Sequence, residues 1–201
     1  MSAAAGAVTL AAQRLRLGRV PVLLLTLATA TLGRVAVGAP APAASAPAAL
    51  LFSAVLIGGA AVSRPDLGRA SWRGVALGVG GGVALVAVSL VGLPALVLGP
   101  RAASATLLWW APLVSLVAVG EELLLRGALF SALRGEHGDI VAVAATSVLF
   151  AVIHLPLYGL GAMPIDLCAG VFLGSLRVVS GGVAAPAVAH VIADLASGWI
   201  A

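Results

Sequence analysis

The stretch GEELLLRGALF, residues 120–130, decides the fold, because it places two adjacent carboxylates inside an apolar run long enough to cross a bilayer. This run extends from Thr106 to Leu133. A charged side chain at the centre of a membrane helix costs at least about 2.5 kcal/mol on insertion scales. We therefore expect Glu121 and Glu122 to face the interior of a helix bundle, where ionisable residues usually carry function.

The two glutamates are expected to have different roles, since neighbouring residues on a helix point about 100° apart. Glu122 and Arg126 have the i, i+4 spacing of an ion pair, with the acid on the N-terminal side. Glu121 has no such partner on its own helix, so its partner must come from another helix. The alternative is that the whole cluster is structural and only holds helices together.

The composition predicts an all-α, polytopic transmembrane helix bundle that forms a single membrane domain over residues 1–201. The chain is 62% hydrophobic and 9% charged, which exceeds what a soluble core of 201 residues needs. The net charge is +4, but the eleven basic residues are all arginines scattered between apolar runs. We therefore expect the lipid bilayer, and no nucleic acid, as a partner. The lone Cys168 excludes an internal disulfide, and its apolar surroundings predict a buried thiol.

About seven membrane spans, with a range of six to eight, are predicted from the apolar runs and the turns between them. In the third run, GVGGG (residues 78–82) predicts a close approach to another helix. GEHGD (residues 135–139) predicts a polar turn in which His137 is solvated, and another turn is expected at residues 99–101. The seven runs are Val20–Leu32, Ala48–Val62, Gly74–Leu98, Thr106–Leu133, Ile140–Leu155, Ile165–Val179 and Val183–Trp199.

The distribution of arginines predicts the orientation, because cytoplasmic loops carry an excess of basic residues. Residues 1–19 are expected to be a cytoplasmic segment followed by a retained first helix, although this basic start also has features of a signal peptide. Only Arg34 and Arg101 would lie outside. We expect an integral protein of a bacterial inner membrane. The predicted cytoplasmic arginines are Arg14, Arg16, Arg19, Arg64, Arg69, Arg73, Arg134 and Arg177.

Two histidines lie within predicted spans, each with a characteristic neighbour four residues away. His154 follows Phe150, and His190 precedes Asp194, which places the last two on one face of a helix. Together with Glu121, these side chains predict a converging site between separate helices. Such a site suits hydrolysis, because a glutamate beside a histidine can deprotonate a water and a second histidine can stabilise an oxyanion. Glu121, His154 and His190 would also suit a divalent metal such as zinc, and spacing alone does not choose between the two.

The motifs GEELLLR, FAVIH and AHVIAD resemble EExxxR, FxxxH and HxxxN/D of the CAAX-protease and bacteriocin-processing (CPBP, or Abi) family of intramembrane endopeptidases. The resemblance covers Val119 to about Ala196. It implies a catalytic core over residues 104–199, within which Glu121 is the catalytic glutamate and His154 its partner on the activated water. It further implies that His190 and Asp194 form the oxyanion site.

The same resemblance implies that Glu122 and Arg126 are a supporting pair and that Phe150 supports the histidines. Asp194 departs from the asparagine that the family has more often. An ionised aspartate donates no hydrogen bond, so Asp194 must be protonated, orient His190 or bind a metal. The implied substrate is a membrane-associated peptide or protein, cleaved without a certain cofactor or with a divalent metal such as zinc.

Two other functions compete with this interpretation. In the first, the polar cluster serves packing or partner recognition in a catalytically silent scaffold or a bacteriocin self-immunity protein. In the second, the buried acids and histidines relay protons in a small proton-coupled carrier. The carrier is disfavoured because the sequence shows no inverted repeat and no pair of broken helices.

Overall fold

A computed structural model describes residues 18–41, 43–92 and 104–200. The predicted all-α bundle is confirmed: these residues form helices and contain no strand. A π-helical segment, Leu123–Leu129, links α4 to α5, and a short 3₁₀ turn, Leu160–Ala162, precedes α6. The α-helices are α1 (Arg19–Gly38), α2 (Ala46–Ser63), α3 (Trp72–Gly92), α4 (Ser104–Glu122), α5 (Phe130–Tyr158), α6 (Met163–Ser180) and α7 (Ala184–Ile200).

The chain reverses within α5, at Gly138. This residue has φ 78° and ψ 178°, a backbone conformation open mainly to glycine. Glu121 and His154 are 33 residues apart and would be separated by about 50 Å on a straight helix. Their carboxylate and imidazole atoms nevertheless approach to 3.9 Å. The predicted polar turn at residues 135–139 is therefore a sharp helix break, and His137 is exposed in it.

Five helical segments of the described chain are long and apolar enough to cross a membrane, and a shorter apolar helix covers Ala184–Ser197. One of the five, Trp109–Tyr158, is the segment that folds back at Gly138. Large apolar side chains such as Val62, Trp109 and Ile140 are more than four-fifths exposed. An exposed apolar surface of this kind is expected for a protein whose outer face contacts lipid. The chain is an integral membrane protein.

The glycines of the third helix confirm the predicted close approach. An added Cβ at Gly78 or Gly82 would collide with Val188 or Ile192 of α7, and one at Gly81 would meet α6. Small residues let two membrane helices approach closely. This packing of α3 along α7 fixes the helix that carries His190.

The core of the bundle surrounds the π-helical segment. Leu124, Leu125 and Leu129 are almost completely buried there and belong to the same apolar cluster as Phe52 and Leu56 of α2. The stretch GEELLLRGALF, residues 120–130, is therefore at the centre of the fold. Its neighbouring helices supply the side chains that surround the two glutamates.

Two sequence-based expectations are wrong. The first helix ends at Gly38 instead of Leu32, so Arg34 lies within α1; its side chain is buried, with the guanidinium carbon 4.8 Å from the centre of the Phe52 ring. Cys168 is exposed on α6 instead of buried. A thiol is apolar enough for a surface in contact with lipid, so an apolar neighbourhood in the sequence does not distinguish the two places.

Other expectations concern residues outside the described ranges. These are the cytoplasmic segment up to residue 17, the choice between a signal peptide and a retained start, and the turn at residues 99–101.

Candidate active site

The two glutamates lie at the junction between α4 and the π-helical segment, and both are buried. A π-helical turn inserts one extra residue into a helix and rotates the side chains that follow it; such turns occur frequently at functional sites. The carbonyl oxygen of Arg126 within this segment accepts a hydrogen bond from Nε of Arg177, at 3.0 Å. The irregular segment is thus held by a side chain from α6.

The expected pairing of Glu122 with Arg126 is present. Nη1 of Arg126 donates to Oε1 of Glu122 at 2.9 Å, and both side chains are completely buried. Nη2 of Arg126 donates to the carbonyl oxygen of Gly170 at 3.0 Å, and the guanidinium lies 4.8 Å from the centre of the Phe150 ring. Arg126 therefore connects α6 and α5 to the carboxylate of Glu122.

Glu121 faces the two histidines predicted to converge on it. Its Oε2 atom is 3.9 Å from Nε2 of His154 and 4.0 Å from Nε2 of His190. This buried oxygen has no hydrogen-bond partner among the described residues. Glu121, which has no ion-pair partner on its own helix, thus places an oxygen between two imidazoles, those of His154 on α5 and His190 on α7.

The second ring nitrogen of each histidine is already engaged. Nδ1 of His154 lies 2.7 Å from the carbonyl oxygen of Phe150 and must donate to it, because a carbonyl only accepts. Nδ1 of His190 lies 3.0 Å from Oε1 of Glu122, the oxygen that also accepts from Arg126. Both rings are therefore oriented with Nε2 toward Glu121.

Phe150 packs between the functional side chains. Its ring centre is 4.4 Å from that of His154 and 5.3 Å from that of His190. The imidazole of His154 also stacks on Tyr158, with 5.7 Å between centres. These contacts restrict the rotation of both histidines, and they involve Tyr158 at the end of α5, which no sequence motif indicated.

Asp194 lies at the open side of the site. Its Oδ1 atom is 3.6 Å from Nε2 of His190, and its side chain is 31% exposed, compared with 2% for Glu121. A distance of 3.6 Å is too long for a hydrogen bond but short enough for an electrostatic interaction.

The described residues contain no group of three His, Cys, Asp or Glu side chains arranged to hold a metal ion. Sequence reasoning had proposed Glu121, His154 and His190 as such a group if a metal is used. Both Nδ1 atoms have partners within the protein, so only the two Nε2 atoms and Glu121 would be free to act as ligands. These three groups are the ones that would hold a divalent metal, and removal of metal from the protein tests that alternative.

Sequence reasoning missed two buried arginines beside the site. Arg34, on α1, packs its guanidinium on the ring of Phe52, and Arg177 supports the π-helical segment. Both had been treated only as indicators of orientation. For Arg177 the available signal was its place inside the predicted span Ile165–Val179, because an arginine inside a span must find a partner in the bundle.

Comparison with known proteins gives one match. Residues 103–196, just under half of the chain, match the model of a family described as "Type II CAAX prenyl endopeptidase Rce1-like". No curated protein and no solved structure matched the chain. The matched segment includes every residue of the site except Arg34. The match confirms the resemblance to the CPBP family, and it supports protease activity on a membrane-associated peptide substrate.

Proposed function

We propose that this chain, whose residues 103–196 match the Rce1-like family, is an intramembrane endopeptidase that cleaves a membrane-associated peptide or protein with a water activated by Glu121. One observation carries the proposal: a buried Glu121 oxygen lies about equally far from the Nε2 atoms of His154 and His190. Separations of 3.9 and 4.0 Å are too long for direct hydrogen bonds but suit a water that bonds to the groups on either side.

In the proposed reaction, Glu121 is the general base. A water about 2.8 Å from its Oε2 transfers a proton to the carboxylate while the water oxygen bonds to the carbonyl carbon of the peptide. The tetrahedral intermediate then breaks its C–N bond. The proton on Glu121 passes to the nitrogen of the leaving amine, which restores the carboxylate.

His154 holds the water. Because its Nδ1 donates to the carbonyl oxygen of Phe150, neutral His154 carries its lone pair on Nε2, the atom that faces Glu121. That lone pair accepts one hydrogen of the water and leaves the other hydrogen for Glu121. The tilted ring of Phe150 and the stacked ring of Tyr158 pack on the imidazole and keep this geometry before substrate binds.

His190 and Asp194 form the proposed oxyanion site. Glu122 is paired with Arg126 and only accepts hydrogen bonds, so Nδ1 of His190 donates to it. An Nε2–H for the oxyanion then requires the doubly protonated imidazolium. We assign this state to His190 because its Nδ1 donates to the buried carboxylate of Glu122, and we assign Asp194 the role of orienting the ring, which the amide of an asparagine could also perform.

The cellular setting is part of the same proposal. Arg19, Arg64, Arg134 and Arg177 all line one cavity at a single end of the bundle. The positive-inside rule assigns such an end to the cytoplasm, which also places the N-terminus there. We propose a bacterial inner membrane as the location, with residues 104–199 as the catalytic core.

The experiment that tests this function searches for new peptide termini. Membranes from cells expressing the wild-type chain or Glu121→Gln would be compared by N-terminal peptide mass spectrometry. We expect a set of new N-termini in membrane proteins or membrane-bound peptides with the wild type, and none of them with Glu121→Gln at equal protein levels. New termini of equal abundance with both chains would contradict the proposal.

A further inference from the structure

A polar cavity lies at the end of the bundle where α1 begins and α2 ends. Its volume is about 440 Å³. It is lined at the start of α1 by Arg19, at the end of α2 by Ser63 and Arg64, and near the Gly138 turn by Arg134. Since helix ends of a membrane bundle lie at the level of the lipid headgroups, this cavity is at the membrane interface.

The charge of this cavity is strongly positive. It is lined by four arginines and by a single carboxylate, that of Asp66. Arg134 is balanced by Asp139, which lies 2.6 Å away outside the lining. Among the described residues, no carboxylate forms an ion pair with Arg19, Arg64 or Arg177.

Arg177 is the fixed cation of the cavity. It is 2% exposed, and it is held by donating from Nε to the carbonyl oxygen of Arg126 and from Nη2 to that of Asp66, each at 3.0 Å. The guanidinium carbon of Arg177 lies 5.3 Å from the centre of the Phe130 ring. Its buried Nη1 has no hydrogen-bond partner in the described part of the chain. A buried guanidinium with a free donor needs an acceptor.

We propose that this cavity binds a phosphate group, with the headgroup of an anionic phospholipid as its natural source. Arginine forks match the oxygens of phosphate, and the cavity has room for a headgroup. Basic pockets between membrane helices recognise lipid headgroups by the same physics. The bound phosphate would join α1, α2 and α6, and Arg177 would connect it to the carbonyl oxygen of Arg126 beside the candidate active site.

The test uses Arg19→Gln/Arg64→Gln, which removes two exposed charges of the cavity and leaves Arg177 and its structural bonds. The matched control is Arg69→Gln/Arg73→Gln, which removes two exposed charges near the same bundle end that do not line the cavity. Each full-length protein, purified in a neutral detergent, would be titrated with short-chain phosphatidylglycerol, phosphatidylcholine or inorganic phosphate. The readout is the shift of the thermal unfolding midpoint, which rises when a ligand binds the folded state.

We expect phosphatidylglycerol to raise the unfolding midpoint of the wild type and of the control. Its binding to the cavity variant should be about thirtyfold weaker, because each of the two removed arginines contributes about 1 kcal/mol to the binding of an anionic lipid. A shift with phosphatidylglycerol alone identifies a lipid headgroup. An equal shift with inorganic phosphate identifies the free anion as the ligand. No shift, or an equal loss in both double variants, would overturn the proposal. Glu121→Gln should bind like the wild type, so the result is independent of the proposed peptidase activity.

Discussion

Nδ1 of His190 lies 3.0 Å from Oε1 of Glu122, so Glu122 holds the histidine that faces Glu121. The same oxygen accepts a hydrogen bond from Arg126 at 2.9 Å. Glu122 therefore links the structural ion pair to the proposed oxyanion site, instead of serving the ion pair alone. Changes at Arg126, Glu122 and Glu121 should have three different consequences.

Replacing Arg126 by alanine should lower stability most. It removes hydrogen bonds to Glu122 and to the carbonyl oxygen of Gly170, and it leaves the Glu122 charge buried without its arginine. Breaking a buried pair from one side typically costs about 3–5 kcal/mol. Glu121→Ala is the control, since Oε2 of Glu121 has no partner among the described residues. Thermal unfolding in detergent should give a clearly lower midpoint for Arg126→Ala, and equal midpoints would refute this division of roles.

Replacing Glu122 by glutamine should reduce the activity of the folded protein, and it should also lower stability because the buried Arg126 loses its carboxylate. The amide keeps the shape but removes the charge that holds His190, and a hydrogen bond to a charged group is worth about 1.5–3 kcal/mol. We expect the kcat of peptide cleavage to fall by about tenfold to a hundredfold, with KM little changed because Glu122 is too buried to touch substrate. A rise of KM at constant kcat would assign Glu122 to substrate binding instead.

The location of polar side chains on local motifs was largely predictable from the sequence, and their contacts between helices were not. The Glu122–Arg126 pair follows from spacing on one helix, and the convergence of Glu121, His154 and His190 follows from the scarcity of polar residues in the spans. The Glu122–His190 bond depends on how each helix is rotated about its axis. That rotation leaves little trace in a sequence whose helices are apolar on nearly every face.

The same limit explains the misplaced Arg34 and Cys168. Arg34 follows the apolar run in the sequence, but α1 continues for nearly two turns beyond that run, and the guanidinium packs on Phe52. Cys168 is in an apolar stretch, but the side of α6 that it occupies is exposed. In a bilayer, interior and exterior are both apolar, so hydrophobicity alone does not assign a face.

Cysteine labelling tests the orientation of the bundle. After replacing Cys168 by alanine, His137→Cys and Gly161→Cys place single thiols at two exposed turns at opposite ends of the second half of α5. An impermeant maleimide added to intact cells should label residue 161 and leave residue 137 unlabelled until the cells are opened. The reverse pattern would invert the proposed topology.

Changing Asp194 to asparagine should retain or raise activity. Asparagine is the commoner residue at this position in the family that the chain resembles, and its side-chain N–H can donate a hydrogen bond to the oxyanion. The chelator EDTA, added to the wild type, should leave the cleavage rate unchanged if no metal takes part. Loss of activity in Asp194→Asn together with a lower zinc content would instead support a metal mechanism.

The most direct test of the account is the rate at which Glu121→Gln cleaves a transmembrane reporter peptide. Glutamine preserves the shape of the side chain but is not a base, and general-base assistance is typically worth about 10²–10⁴ in rate. We predict that the variant unfolds at the wild-type midpoint, because Oε2 of Glu121 has no partner among the described residues, and that it cleaves at least about a hundredfold more slowly. Cleavage at the wild-type rate by the folded variant would contradict the proposed role of Glu121.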